Sequence, residues 1–442
     1  MAEHVLIVGG GFSGTMLAVN LLRRPGPRVT LVERRAEPAL GLAYGAAHES
    51  HLLNVRASNM SALADEPDHF VRWLADRGMA DPAAAFAPRP LFGAYLQEVF
   101  RTATEQAPGR LEVIAGSVLD LQTSPAGVTA RLSDGRILEA DAAALALGNL
   151  PPHPPRGLDP ERMPPGRYYG DPWTPVVADG LGPDHTVLII GTGLTMVDMA
   201  LLLEARGFGG RILALSRRGL LPHAHAPGAP PDSPRHAPPA TTAPALVREI
   251  RARAEEIGWR QAVDELRPFT QFMWRSAGPE QRSRFLRHLR PWWDVHRHRI
   301  APQVRARIED MIRGGLLTVA AGKISGFETV GDRTAVTWRP RGLERSETFA
   351  ASRIINCTGP EGNLPASPEP LLRSLLGRGV IRPGWCGIGV AVDEESRIID
   401  AGGQANERLV ALGPLTRGAF WEIVAVPDIR VQVRQVAERW SG

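Results

Sequence analysis

VLIVGGGFSG (5–14) and VLIIGTGLTMVD (187–198) are the two stretches whose reading decides the fold. Each is a short apolar run that closes on a glycine-rich turn and continues into a helical pattern. A strand, a tight turn and a helix in that order cradle a pyrophosphate with backbone N–H groups and the positive end of the helix dipole. One such unit accounts for one dinucleotide. Two in one chain point to two dinucleotides brought together, and the chemistry that needs this is hydride transfer between them.

In the first unit Gly9 permits the tight turn, Gly11 lets backbone approach a pyrophosphate, and Gly14 lets the helix pack closely on the strand. Phe12 and Ser13 open the helix and belong to the same cradle; the helix stops at Pro25-Gly26. A second strand, 29–32, ends in Glu33, about 20 residues beyond the last glycine, where a carboxylate accepts from ribose hydroxyls and repels a 2′-phosphate. Glu33 suits FAD and NAD equally. The position of this unit, ahead of another nucleotide unit, favours FAD. Leu145-Ala146-Leu147-Gly148-Asn149 reads as a small-residue strand end where the chain leaves the first domain.

In the second unit Gly191 and Gly193 fill the first two glycine roles, Leu194 and Thr195 open the helix, and Met196 replaces the third glycine. That helix, 196–205, ends at Gly207, and the next strand, 211–215, ends in Ser216-Arg217-Arg218. A hydroxyl and two guanidiniums stand where the first unit has an acid. Guanidiniums suit a 2′-phosphate, which favours NADPH over NADH as the co-substrate.

Between and after the units, residues 151–184 have the Pro/Gly density of a linker, and 222–244 reads as a mobile Pro/Ala/His-rich loop. His223, His225 and His236 in that loop lack compact ligand spacing, so no metal site is expected. Residues 245–313 form an Arg-rich helical insertion, with WRSAGPEQRSRFLRHLRPWWDVHRHR at 274–299. Its aromatics fit interdomain packing, and its cations could line an anionic pocket. The chain then returns through RIINCTGP (353–360), LVALGPLTRG (409–418) and a helix from Ala419. The expected fold class is α/β with two Rossmann-like domains, the NAD(P)H domain (161–349) inserted between two halves of the FAD domain (1–160 and 350–442).

Composition narrows the function. Hydrophobic residues make up 43% and charged residues 22%, as in ordinary globular chains, and no apolar run is long enough to span a bilayer. The first fingerprint follows MAEH directly, leaving no room for a signal peptide, so a cytoplasmic protein without membrane contact is expected. The net charge of +4 rests on scattered arginines, which argues against nucleic acid as a partner; Lys323 is the single lysine, which argues against Schiff-base chemistry. Cys357 and Cys386 are too far apart for a vicinal redox pair, which excludes dithiol reductase chemistry.

Several segments resemble one family, FAD/NAD(P)-binding proteins with two dinucleotide domains, in which FAD-dependent urate hydroxylases are found. They are GGGFSGTMLA (9–18), GLAYG (41–45), HLLNVRASNMSAL (51–63), RPLFGAYL (89–96), GTGLTMVD (191–198), SRRGLLP (216–222), HLRPWWDVHRHRIAP (288–302), INCTGP (355–360) and GPLTRGAFWEI (413–423). More remotely the chain resembles N-hydroxylating flavin monooxygenases for amino acids. Where such flavoproteins carry a Gly-Asp pair, this chain has Gly413-Pro414; the resemblance then implies that N–H groups of Leu415 and Thr416, starting the last helix, face the flavin. It implies a monooxygenase in which NAD(P)H reduces FAD and the flavin captures O₂ as a C4a-hydroperoxide. A small molecule is then oxygenated: urate to 5-hydroxyisourate, or alternatively the nitrogen of an amino acid or amine. A plain NAD(P)H-dependent electron-transfer reductase and a nucleotide sensor stay open. Arg417, Arg290, His296, Arg297 and Arg299 are the candidates for holding an anionic substrate.

Overall fold

The computed structural model describes residues 2–35, 37–226, 237–360 and 362–441. Two parallel sheets organise them. The first runs Arg397–Ile399, Ala405–Ala411, Ala142–Leu145, His4–Val8, Arg28–Glu33, Leu111–Ala115, parallel throughout except for the antiparallel edge Arg397–Ile399. The second runs Glu347–Ala351, Arg333–Pro340, Leu317–Val330, Arg211–Ser216, Thr186–Ile190, Arg353–Asn356, Tyr168–Tyr169, with its parallel core at the last five. Val5, Leu6 and Ile7 of the first sheet and Val187, Leu188 and Ile189 of the second are wholly buried. Strands covered by helices on both faces need such continuous apolar runs.

The helix Phe12–Leu22 carries the chain from His4–Val8 to Arg28–Glu33, and Ala142–Leu145 pairs on the other side of His4–Val8. Strand order therefore reverses at His4–Val8. It reverses again at Thr186–Ile190, flanked by Arg211–Ser216 and Arg353–Asn356. Such switch points open a crevice at the carboxyl ends of the strands, where ligands bind in folds of this kind. An antiparallel meander of Val118–Thr123, Val128–Leu132 and Ile137–Ala140 links Leu111–Ala115 to Ala142–Leu145.

Four expectations change. The strand Arg353–Asn356, assigned above to the returning FAD half, pairs with Thr186–Ile190 in the second sheet, so residues 350–356 belong with that sheet. The insertion is shorter than 245–313, because Pro302–Arg313 is the crossover helix leading into Leu317–Val330 beside Arg211–Ser216. The loop 222–244 is fixed at its start: His223 and His225 exchange backbone hydrogen bonds with Val295 and Ile300 (2.9–3.1 Å), while the helix Ala243–Ile257 takes its end. His236 lies outside the described residues. The last helix is Val426–Ser441 and does not begin at Ala419. A 3₁₀ turn, Gly413–Thr416, and further turns precede it, with Glu422 in the left-handed region at φ 68°.

Candidate functional site

At the first glycine turn Gly9 has φ +103°, and a side-chain carbon there would lie 2.5 Å from the Ala146 carbonyl oxygen. At Gly14 it would lie 1.9 Å from the Gly9 oxygen, so close packing of helix on strand admits nothing but glycine. Gly11 caps the helix Phe12–Leu22 without a side-chain bond, and no acid stands in the first turn. Those N–H groups and the helix dipole are free to face an anion. Glu33, buried at the end of its strand, accepts from the Gly10 N–H at 2.6 Å and the Arg35 N–H at 2.8 Å, which fixes its carboxylate beside the turn.

Above the turn lies a cleft of about 330 Å³, within the range of cofactor sites. Gly11, Ser13, Glu33, Gly41 and Gly148 line one part of it; Thr195, Asn356, Cys357 and Gly359 line another. The second group comes from the second switch point. The helix Gly41–Gly45 roofs the first turn, bringing Gly41 to within 3.0 Å of the Gly11 Cα when its missing side-chain carbon is drawn in. Gly413 closes the far side with φ +62°; a side-chain carbon there would meet the Ser13 hydroxyl at 2.4 Å. Pro414, Val424 and Val426 continue the wall. Leu415 and Thr416 sit in the 3₁₀ turn rather than at the start of a helix, so the dipole of the last helix does not act through them. The cradle thus fits a dinucleotide: a glycine approach, an uncapped helix start and a fixed acid.

The second turn repeats the geometry more openly. Gly191 has φ +113° and would place a side-chain carbon 2.2 Å from the Cys357 oxygen. Gly193 caps the helix Leu194–Ala205, again without a side-chain bond or a first-turn acid. It is exposed and has nothing within 4 Å of its missing side chain. Met196, at the third glycine's place, is wholly buried. The Ser216 hydroxyl meets that of Thr192 at 2.9 Å and accepts from the Gly219 N–H at 3.0 Å, so it shapes the following turn. Arg217 is exposed, and the Arg218 guanidinium lies 5.9 Å from the ring centre of the exposed Trp292.

A strut that sequence reasoning did not single out joins the two units. Arg89 binds Asp198 through two contacts, 2.8 and 3.0 Å, with both side chains nearly buried. The His51 Nε2–H donates to the Asp198 carbonyl at 2.9 Å while its Nδ1 accepts from the His48 N–H at 3.1 Å. Burial holds the His51 pKa below the usual imidazole value, consistent with that neutral tautomer. The available signal was an acid, Asp198, within the apolar run Met196–Leu203 of the fingerprint helix.

The anion-binding candidates separate. The His296 Nδ1–H donates to the Trp292 carbonyl at 2.8 Å, and the ring packs against His223 and Trp259. Arg299 is buried against Asp264. Arg290 pairs with Asp294 at 3.4 Å and Arg297 with Glu422 at 3.2 Å. Arg417 lies over the ring of Trp421 at 4.7 Å, and its Nε, though buried, has no hydrogen-bond partner among the described residues.

Residues 6–150 match a family model described as FAD-NAD(P)-binding. Over 200 residues the chain is 32% identical to an L-aspartate N-monooxygenase (nitrosuccinate-forming) of Streptomyces cremeus, covering 39% of this chain and 30% of that protein. Over 232 residues it is 31% identical to a nitrosuccinic acid synthase of Aspergillus oryzae, covering 46% and 36%. The matched stretch thus spans about a third of either relative. Among solved structures, an ornithine N-hydroxylase of Kutzneria sp. 744 superposes with TM-score 0.67 at 16% identity over 99% of both chains. Ornithine hydroxylase of Pseudomonas aeruginosa does so with TM-score 0.68 at 15% identity, covering 99% and 98%. The fold is that of flavoproteins with two dinucleotide-binding domains.

Proposed function

We propose that this protein is a FAD-dependent, NAD(P)H-consuming N-monooxygenase acting on an amino acid. The observation that carries the reading is the single cleft shared by both strand switch points, which puts the second glycine turn in reach of what the first turn holds. FAD, when bound, supplies the acceptance of hydride and the activation of O₂. The chain does the rest. The N–H groups after Gly11 hold the pyrophosphate, and Glu33 takes the adenosine ribose. Gly193, Leu194 and Thr195 hold the second pyrophosphate. Ser216, Arg217 and Arg218 stand at its ribose end, where two cations favour NADPH. The roof at Gly41–Gly45 and the wall at Pro414 keep water from the reacting centre.

The relatives' names support nitrogen of an amino acid as the oxygen acceptor over urate, the substrate suggested by the sequence resemblance. The test is direct. FAD-loaded protein in air is given NADPH with L-aspartate, L-ornithine, L-lysine or urate, while nucleotide, O₂, hydrogen peroxide and products are followed. One amino acid is expected to yield a product heavier by one oxygen atom, in step with nucleotide loss and with little peroxide. Peroxide alone with every amino acid leaves a reductase, and bleaching of urate absorbance restores the hydroxylase reading.

A further inference from the structure

Along the seam between the insertion and residues 413–430, most cations face an acid; Arg417 and Arg430 do not, and Arg430 donates instead to the Ser61 carbonyl at 2.7 Å. Arg290 has Asp294 at 3.4 Å, Arg297 has Glu422 at 3.2 Å and Arg267 has Asp428 at 3.7 Å. Glu422 is further occupied by the Trp293 indole N–H at 2.5 Å and faces His298 at 3.6 Å. Arg417 has no carboxylate of its own among the described residues, and its Nε is buried without an acceptor. The indole N–H of Trp421, whose ring lies under that guanidinium, is likewise buried without an acceptor. Trp421 cannot swing away, because Trp274 stacks on it at 4.6 Å and is itself tied to the Gly418 carbonyl at 2.8 Å.

Buried donors left without acceptors are costly, and a pair of them side by side marks the place of an acceptor that the chain does not supply. Burial lowers the Arg417 pKa to about 10, which leaves the side chain cationic at neutral pH and poorly hydrated. Arg417 follows directly on the turn whose Pro414 walls the cofactor cleft, and Val424 re-enters that wall seven positions later. The seam therefore lies behind the part of the cleft wall made by Pro414 and Val424.

Resting on the N-hydroxylation reading, we infer that Arg417 and Trp421 form the substrate's carboxylate site and select an amino acid with an acidic side chain. An ammonium side chain, such as that of ornithine or lysine, would need a free carboxylate here. Asp294, Glu422 and Asp428 are already taken, and Arg417 would repel it. A dicarboxylate meets one uncommitted cation and one indole N–H.

Calorimetric titration of the FAD-loaded protein with succinate and with 1,4-diaminobutane tests this without turnover. Succinate is expected to bind and the diamine not to. Arg417→Gln should weaken succinate about 30-fold and Arg417→Lys less, while Trp421→Phe, which keeps the ring but loses the N–H, should cost about fivefold. An unchanged flavin spectrum shows that each variant is folded. Failure of succinate to bind, tighter binding of the diamine, or equal binding by Arg417→Gln overturns the inference. Absence of oxygenated amino acid with succinate binding intact overturns the N-hydroxylation reading instead.

Discussion

At Gly9 the backbone turns with φ +103° under the carbonyl of Ala146; at Gly191 it turns with φ +113° under the carbonyl of Cys357. Both turns lead into uncapped helices with no acid in the first turn. Beyond that point they diverge. The first is roofed by Gly41–Gly45, closed by Gly413 against Ser13 and provided with a buried acid, Glu33. The second is open at Gly193, replaces the packing glycine with Met196, and has the hydroxyl of Ser216 where the first has the Glu33 carboxylate. On the function proposed above, the same turn geometry would serve two kinds of occupancy: the roofed, acid-fixed site would retain FAD through turnover, and the open one would exchange NAD(P)H each cycle.

Matched alanine substitutions give the sharpest contrast. At Gly11 the added carbon meets only the Gly41 Cα, at 3.6 Å, and at Gly193 it meets nothing within 4 Å, so neither disturbs the protein itself. Gly11→Ala therefore places a methyl group against the pyrophosphate in a space that cannot widen. FAD affinity should fall about 30-fold, the equivalent of a strong charge-assisted hydrogen bond, and the protein should purify nearly colourless. Gly193→Ala leaves FAD in place and raises the KM for the nicotinamide nucleotide about threefold, since an open site lets the ligand shift. Spectral FAD occupancy and initial rates measure both. Equal losses of FAD in the two variants would erase the distinction between the turns.

The strand–turn–helix units were fully legible because a wholly apolar run, glycines at fixed spacing and a strand-end acid are local signals with a single steric solution. Positions 9, 11 and 14 illustrate this: two of the three would drive a side-chain carbon to within 2.5 Å of a carbonyl oxygen. What could not be read was pairing across the chain. RIIN at 353–356 has the same buried-strand pattern whichever sheet receives it, and only the register Ile354 to Leu188 decides. The Arg89–Asp198 strut joins residues on separate units, and nothing local to either names its partner. The late start of the last helix follows from Pro427, which suits the first turn of a helix, and from Glu422 at positive φ, which interrupts any helix begun at Ala419. The same limit applies to the arginines: five candidates were equivalent in sequence, and burial with pairing separated Arg417 from the rest.

The ribose ends of the two turns supply the next contrast. Arg217 and Arg218 carry no ion pair among the described residues and follow Ser216, which stands where Glu33 stands in the first unit. Changing both to Ala should raise the KM for NADPH about tenfold and leave that for NADH within about twofold, because only the former brings a phosphate to the guanidiniums. Comparing kcat/KM for the two nucleotides measures it. Equal effects on both would show that the arginines belong to the Trp292 surface rather than to the site.

The smallest expected effect concerns the loop that follows the second turn. Its His225 donates through Nε2–H to the Asn54 carbonyl of the first unit at 2.9 Å, pinning the two units together. Burial depresses the His225 pKa to about 4, aided by the nearby Arg299 and Arg56 and opposed by the Asn54 bond. The unfolded chain takes up this proton near the ordinary imidazole value of about 6.5, and the folded chain only near 4. The stabilisation is therefore complete above about pH 6.5 and is lost as pH falls toward 4. Gln in its place keeps an N–H donor and does not titrate. His225→Gln should lose about 2 °C less in Tm between pH 7.0 and 4.5 than the parent does. The remaining acid loss is shared by His4, His51, His69, His223 and His298, which burial also keeps neutral, and by carboxylates held low by their partners, such as Asp120 and Asp141. Parallel melting curves for parent and variant would mean that His225 is protonated as readily when folded as when unfolded, and that the contact with Asn54 does not hold the second unit against the first.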